Sequence, residues 1–319
     1  MTDIDLAHAS PGSRSEEGAG AIATNGAHHT DADTREAQTG AALSLSATQP
    51  GTLGVVLSHL RDVWVMTRRS LIHISREPMQ LSDVTVQPVL FTVLFVYIFG
   101  AGMTIGHGSY TDFAIAGLLT MNLVTSSMGT GVGIATDLST GMVERFRTLP
   151  MWRASVLVGR TISDLLSAAV CSLIVAMTGL VVGWRPTHGI LSVLAAFGVA
   201  LLFSYALTWP TACLGLIAKA PESAMSIGFV IIFPLAFVSN ALVPTLHMPA
   251  WLRTVADWNP VSAVTSSVRD LFGNYNPVPA SHPGWPVAHP LAAALVWSIG
   301  LIAVSAPLAA YLFRRRTTD

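Results

Sequence analysis

The chain has 319 residues, 51% of them hydrophobic and only 11% charged, with a mean hydropathy of +0.56. Soluble domains carry about 25% charge, so an ordinary soluble globular protein is excluded. The net charge of −1 discriminates nothing by itself, but its distribution along the chain does.

Residues 1–50 are built from Gly, Ala, Thr, Asp and Glu, and no aromatic residue precedes Trp64. Such a segment buries too little apolar surface to offset its ordering entropy, so a disordered cytoplasmic tail is expected. Its acidic start and missing apolar core do not fit a signal peptide. The pair His28–His29 supplies two ligands on a disordered tail, which makes a poor metal site.

Residues 51–82 form a connector. Leu53, Val56, Leu57, Leu60, Val63, Trp64, Leu71 and Ile74 recur at helical spacing, with Ser58, Arg61, Asp62, Arg68 and Arg69 elsewhere on the wheel. An amphipathic helix with Trp and arginines suits a membrane–water boundary, so an interfacial helix is expected.

From there the apolar material comes in blocks. Val84–Thr111, Phe113–Thr136, Leu165–Trp184, Pro186–Ala218, Ser223–Leu252 and Leu271–Phe313 contain no Asp, Glu, Lys or Arg. A spanning helix needs ~20 apolar residues for the ~30 Å hydrocarbon core, whereas barrel strands would alternate over ~10 residues. The fold class is therefore all-α: a polytopic membrane domain over 83–316 with six transmembrane helices. The spans are placed near 84–105, 113–136, 157–183, 188–217, 224–245 and 288–313. Arginines cluster before the first span (Arg61, Arg68, Arg69, Arg76), after the second (Arg145, Arg147, Arg153) and after the last (Arg314, Arg315, Arg316). The opposite loops offer only Arg185, Arg253 and Arg269. The positive-inside rule then puts both termini and the 137–156 loop in the cytoplasm.

Within the spans, "GTGVGIATD" (129–137) has the look of a dinucleotide loop, but no strand precedes it. Gly129 and Gly133 instead make a GxxxG spacing suited to close helix approach. Cys171 and Cys213 sit in mid-span without a CxxC or zinc pattern and read as small buried hydrophobes. Arg160 and Asp164 stand one turn apart near the start of the third span, where a structural ion pair can neutralise both charges. No HExxH and no GxSxG occurs, and the only lysine is Lys219 in "IAKAPES", so a phosphate-binding GxxxxGK[ST] loop is absent. The chain carries no catalytic constellation and is expected to bind no cofactor or metal.

Between the fifth and sixth spans, Pro249 opens a run in which Trp251, Leu252, Val255 and Trp258 share a face. Asn259–Pro260 interrupts it, and Val264, Val268 and Leu271 continue. Two short amphipathic helices at the outer membrane face are expected.

The loop "DLSTGMVERFRTLPMWRASVLVGRTISD" resembles the cytoplasmic loop between the second and third spans of type-2 ABC exporter permeases. "REP" (76–78) before "LFVYIFGAGM" resembles that family's connector and first span. "FPLAFVSNALVPTLHMPAWLRTVADWNPVSAVTSSVRDLFG" (233–273) resembles its segment between the last two spans. The resemblance covers about 53–316 and is closest to the daunorubicin/doxorubicin-resistance permeases of actinobacteria.

The resemblance implies a short coupling helix that inserts into a cytosolic ATPase. Glu144, Arg145, Phe146 and Arg147 would form that contact, with Leu149–Pro150 ending the helix because a residue before proline avoids the α region. Lys219 and Glu222 are a second candidate inner contact, and Arg76, Glu77 and Pro78 match the family's interfacial connector. Family members have re-entrant helices between spans five and six, so Trp251, Trp258 and Pro260 become outer-gate candidates. An outer aromatic belt would explain the tryptophans equally well. The implied function is a permease subunit, multi-pass in the bacterial cell membrane, moving an amphiphilic drug, secondary metabolite or lipid. Its expected partners are ABC ATPase subunits that use ATP and Mg, a second permease copy and membrane lipid, with no nucleic acid. The alternative is a stand-alone channel or proton-coupled carrier, though a carrier would be expected to place carboxylates in mid-membrane.

Overall fold

The computed structural model describes residues 78–102, 109–140, 154–218, 220–245, 248–277 and 284–318. The expected tail and the amphipathic segment at 53–74 lie outside the described residues. Every element named below belongs to the unit Thr52–Asp319.

The described elements are all helical: α1 (Pro78–Gly102), α2 (Tyr110–Ser126), α3 (Met128–Ser139), α4 (Ala154–Val182), α5 (Ile190–Ile217), α6 (Pro221–Phe237), α7 (Ala250–Trp258), α8 (Pro260–Phe272), α9 (Trp285–Ala288) and α10 (Pro290–Thr318). Among the described residues, five stretches are long and apolar enough to cross a membrane: Thr85–Gly102, Tyr110–Ser139, Leu157–Val182, Ile190–Ile217 and Pro290–Arg316. The second of these is α2 and α3 taken together. The fifth predicted span falls on α6, a 17-residue apolar helix about 26 Å long at 1.5 Å per residue.

That helix differs from the expectation at one end. The charge-free run predicts a span to 245, yet α6 stops at Phe237. A side chain from elsewhere caps this end: Asn259 Nδ2 donates to the carbonyls of Leu235 and Val238, which have no donor within the helix. At the other end, Pro221 opens α6 where its missing N–H costs nothing.

The central helix is α5, which packs against α10, α3, α8 and α4. Its Ala196, Ala200 and Phe203 meet Phe113, Leu119 and Leu123 of α2 and Val264, Val268 and Phe272 of α8 in one buried cluster. A second cluster, with Ile134, Trp209, Leu216, Ala309 and Phe313, closes the end of the bundle where α3 finishes. The two expected short helices are present as α7 and α8, at the opposite end. They differ sharply in burial: α7 exposes Trp251, Val255 and Trp258, whereas nearly all of α8 is buried among the spans. Outward faces of α1 (Val86, Leu90, Tyr97) and α6 (Phe229, Val230, Phe233) are exposed and apolar, as helices bordering lipid or another apolar helix require.

Candidate functional site

At the α7–α8 end, Asn259 is the organising residue. Its Oδ1 accepts from the Val261 amide at 2.8 Å, capping α8, and Pro260 occupies the first turn. In the sequence this cap shows only as Asn before Pro, a pattern that equally marks a simple break. The same residue's Nδ2 caps the end of α6, so one amide side chain fixes the angle between a span and the short helix. The adjoining loop is stitched to α8: the Asn240 amide donates to Ser262 Oγ at 3.0 Å and Asn240 Nδ2 to Ser266 Oγ at 2.7 Å.

Arg269, counted in the sequence among loop arginines, is fully buried on α8. Its Nε donates to the Phe113 carbonyl at 3.1 Å, and its Nη2 to the Asn240 and Ala241 carbonyls at 2.8 Å each. The guanidinium carbon stands 3.7 Å from the centroid of the Phe113 ring, a cation–π contact. Burial lowers its pKa to about 9, against the raising influence of Asp270 and Tyr110, so it stays charged at neutral pH. The Ala241 carbonyl reaches α2 because residue 117 is glycine, where a Cβ would collide with it. A partial signal existed: Arg269 borders the α8 stripe of Val261, Val268 and Phe272. A second brace joins this end to the α4–α5 turn. Trp184 Nε1 donates to Asn274 Oδ1 at 2.9 Å, and the Thr187 amide donates to the Phe272 carbonyl at 2.9 Å. Gly273 caps α8 in the left-handed region at φ 72°.

Trp251 and Trp258 are 71% and 55% exposed. The structure thus places them on the outward face of α7 and Pro260 inside the stitched joint, so the three gate candidates do not converge on one point.

At the opposite end, Arg160 and Asp164 form the expected pair, Nε to Oδ2 at 3.3 Å. The pair also reaches across to α3. Thr130 Oγ1 donates to Asp164 Oδ2 at 2.6 Å, and Arg160 Nη2 donates to the Gly129 carbonyl at 3.3 Å. The glycine motif therefore works differently from the expectation. Gly129 and Gly133 do not seat a neighbouring helix backbone; a Cβ on Gly133 would collide with the Arg160 guanidinium, and one on Gly129 would meet nothing. A charged side chain needs that groove. The close helix approach comes from Gly131 against Gly215 of α5, where either Cβ would run into the other helix's backbone. Both cysteines are buried and free; Cys171 Sγ donates to Asn122 Oδ1 at 2.8 Å.

Glu222 is exposed in the first turn of α6, where the helix dipole favours an acid. Pro78 opens α1. Arg76, Glu77, Lys219 and the loop residues Glu144, Arg145, Phe146, Arg147, Leu149 and Pro150 lie outside the described residues.

Comparison with known proteins agrees with this architecture. The family model described as "ABC-2 type transporter" matches residues 61–272. The chain is 30% identical over 268 residues to the daunorubicin resistance ABC transporter permease protein DrrB1 of Streptomyces coeruleorubidus, covering 84% of this chain and 90% of the relative. It is 25% identical over 272 residues to the probable doxorubicin resistance ABC transporter permease protein DrrC of Mycobacterium tuberculosis, covering 84% and 94%. A putative transport permease, ycf38 of Porphyra purpurea, is 22% identical over 219 residues, covering 67% and 75%. With a family match over most of its length and several helices fit to cross a bilayer, the chain is a multi-pass membrane permease belonging to the ABC-2 type transporter family.

Proposed function

We propose that this chain is the permease subunit of an ATP-driven exporter that moves an amphiphilic drug, secondary metabolite or lipid out of the cytoplasm or inner leaflet. The observation that carries this reading is the similarity to a daunorubicin resistance permease along 90% of that relative's length. Two ATPase subunits, using ATP and Mg, would supply the energy, and a second permease copy, identical or related, would complete the pathway. The loop between α3 and α4, with Glu144, Arg145, Phe146 and Arg147, is the docking element for the ATPase, and Lys219 with Glu222 is a second inner contact. The Arg76–Glu77–Pro78 connector leads from an interfacial helix into the first span. Both termini face the cytoplasm of a bacterial cell, and α7 with α8 lies at the outer face, with Trp251 and Trp258 against the lipid boundary or the gate.

The test is purification of the tagged chain from its native membrane in mild detergent, identification of bound chains by mass spectrometry, and daunorubicin transport in inside-out vesicles. An ABC ATPase should co-purify, and uptake should require ATP and stop with vanadate. Uptake that follows a proton gradient, collapses with an uncoupler and ignores vanadate would establish a proton-coupled carrier instead.

A further inference from the structure

We propose that Arg160 and Asp164 are positioning residues for energy transmission: they lock α3 to α4 so that the loop between these helices moves both as one lever. The proposal rests on the reading that this loop docks on an ATPase, and it adds how force leaves the loop.

The first half of the argument is that α3 is jointed where it meets α2. α2 ends at Ser126 and α3 begins at Met128, and Thr211 Oγ1 of α5 donates to the carbonyl of Ser127 between them at 2.8 Å. The Thr130 amide bonds to that carbonyl at 3.3 Å, three residues on, and Ser127 Oγ turns back to the Val124 carbonyl at 2.6 Å. A side chain inserted into a helix ladder is a recognised cause of a kink. Below the joint, α3 runs 12 residues to Ser139, about 18 Å at 1.5 Å per residue. A swing of about 10° at Ser127 would therefore displace the loop end by about 3 Å.

The second half is that the ion pair is wired between helices. A pair serving only to neutralise charge within α4 would need neither Thr130 nor a groove free of side chains. Here Asp164 takes the Thr130 hydroxyl as well as the guanidinium, and Arg160 reaches the Gly129 carbonyl across the space that glycine leaves at 133. Thr130 lies nine residues from the end of α3, and Asp164 ten residues from the start of α4. The tie thus closes the α3–α4 hairpin at matched depth, about 14 Å from the loop on each arm. Force applied at the loop cannot be lost by splaying the two arms. Charges are costly within a membrane segment and are kept where they are paired or functional; this pair is both.

The decisive variant keeps both charges on α4 and removes the tie to α3. Thr130→Val with Gly133→Ala deletes the hydroxyl and expels the guanidinium from its groove, while both charges stay on α4. A second variant, Arg160→Gln with Asp164→Asn, removes the two charges together. Each is compared with the parent in proteoliposomes containing the co-purified ATPase, with daunorubicin as probe. Both should bind the ATPase as the parent does and hydrolyse ATP within twofold of it, yet move at least fivefold less daunorubicin per ATP. Spin labels at Thr136→Cys and Leu166→Cys, in a background with Cys171→Ala and Cys213→Ala, should show a narrow distance distribution in the parent and a broad one in both variants. A narrow distribution in the variants would overturn the tie, and unchanged daunorubicin per ATP despite broadening would overturn its role in transmission. If the parent neither retains an ATPase nor moves daunorubicin, the functional reading fails, and the spin-label distances still decide whether the tie exists.

Discussion

The guanidinium of Arg269 lies 3.7 Å from the ring centroid of Phe113 while its Nε donates to that same residue's carbonyl at 3.1 Å. One residue of α2 thus receives both the face and the edge of an arginine 156 positions later. With Nη2 on the Asn240 and Ala241 carbonyls, this single side chain holds α2, the loop after α6 and α8 together.

Arg269→Ala should therefore loosen the α7–α8 end. Each buried acceptor left without a donor costs roughly 1–3 kcal/mol, and two of the three lie in the loop, outside any helix ladder. We expect a loss on the order of 3 kcal/mol, read as a lower melting temperature in detergent by fluorescence-detected size exclusion. Arg269→Lys keeps the charge but not the planar fork, and should fall between. A melting temperature unchanged in both variants would mean that the clamp is not formed.

The glycines give a paired expectation. Gly117→Ala drives a Cβ into the Ala241 carbonyl and should destabilise by about 1–3 kcal/mol, because packed backbone cannot yield. Gly198→Ala meets nothing within 4 Å and sits inside α5, so it should be neutral or stabilise by up to about 1 kcal/mol. The same melting assay reads both, and a larger loss at Gly198 than at Gly117 would contradict the packing described.

For the loop proposed to dock on an ATPase, Glu144→Arg and Arg147→Glu should express and insert normally, since substitutions away from a core usually change stability by about 0.5 kcal/mol. Truncating a paired charge at an interface can cost about 2–5 kcal/mol, so both should lose ATPase co-purification and export. Leu149→Ala should do less. Full export by both reversals would leave the loop as a topological anchor only.

Topology is tested with single cysteines and an impermeant thiol reagent. Ser139→Cys should react only after the cells are opened, and Ser281→Cys in intact cells. The reverse pattern would invert the orientation read from the arginines.

The positions of the membrane helices were legible because lipid forbids charge over ~20 residues, and that exclusion is written directly in the composition of each block. Helix ends were less so. The end at Phe237 is capped by Asn259, more than 20 positions away, and no local pattern announces that partner. The burial of Arg269 has no sequence signature, because a cation in a short amphipathic segment ordinarily faces water and its acceptors at 113, 240 and 241 converge only in three dimensions. The GxxxG spacing of Gly129 and Gly133 points to the wrong pair: the close approach is made by Gly131 and Gly215, because which glycine meets which partner depends on helix rotation. The Arg160–Asp164 pair was visible at i,i+4, whereas its ties to Gly129 and Thr130 were not.

The Arg269 clamp also bears on how the molecule comes into being. A chain is made from its N-terminus, so Phe113, Asn240 and Ala241 leave the ribosome before Arg269 does. When α8 arrives, its guanidinium finds carbonyls already waiting if α2 and α6 have inserted and paired, and bare hydrocarbon or water if they have not. α8 is then an inspection point for everything upstream: its guanidinium is matched only where α2 and the loop after α6 already stand in place.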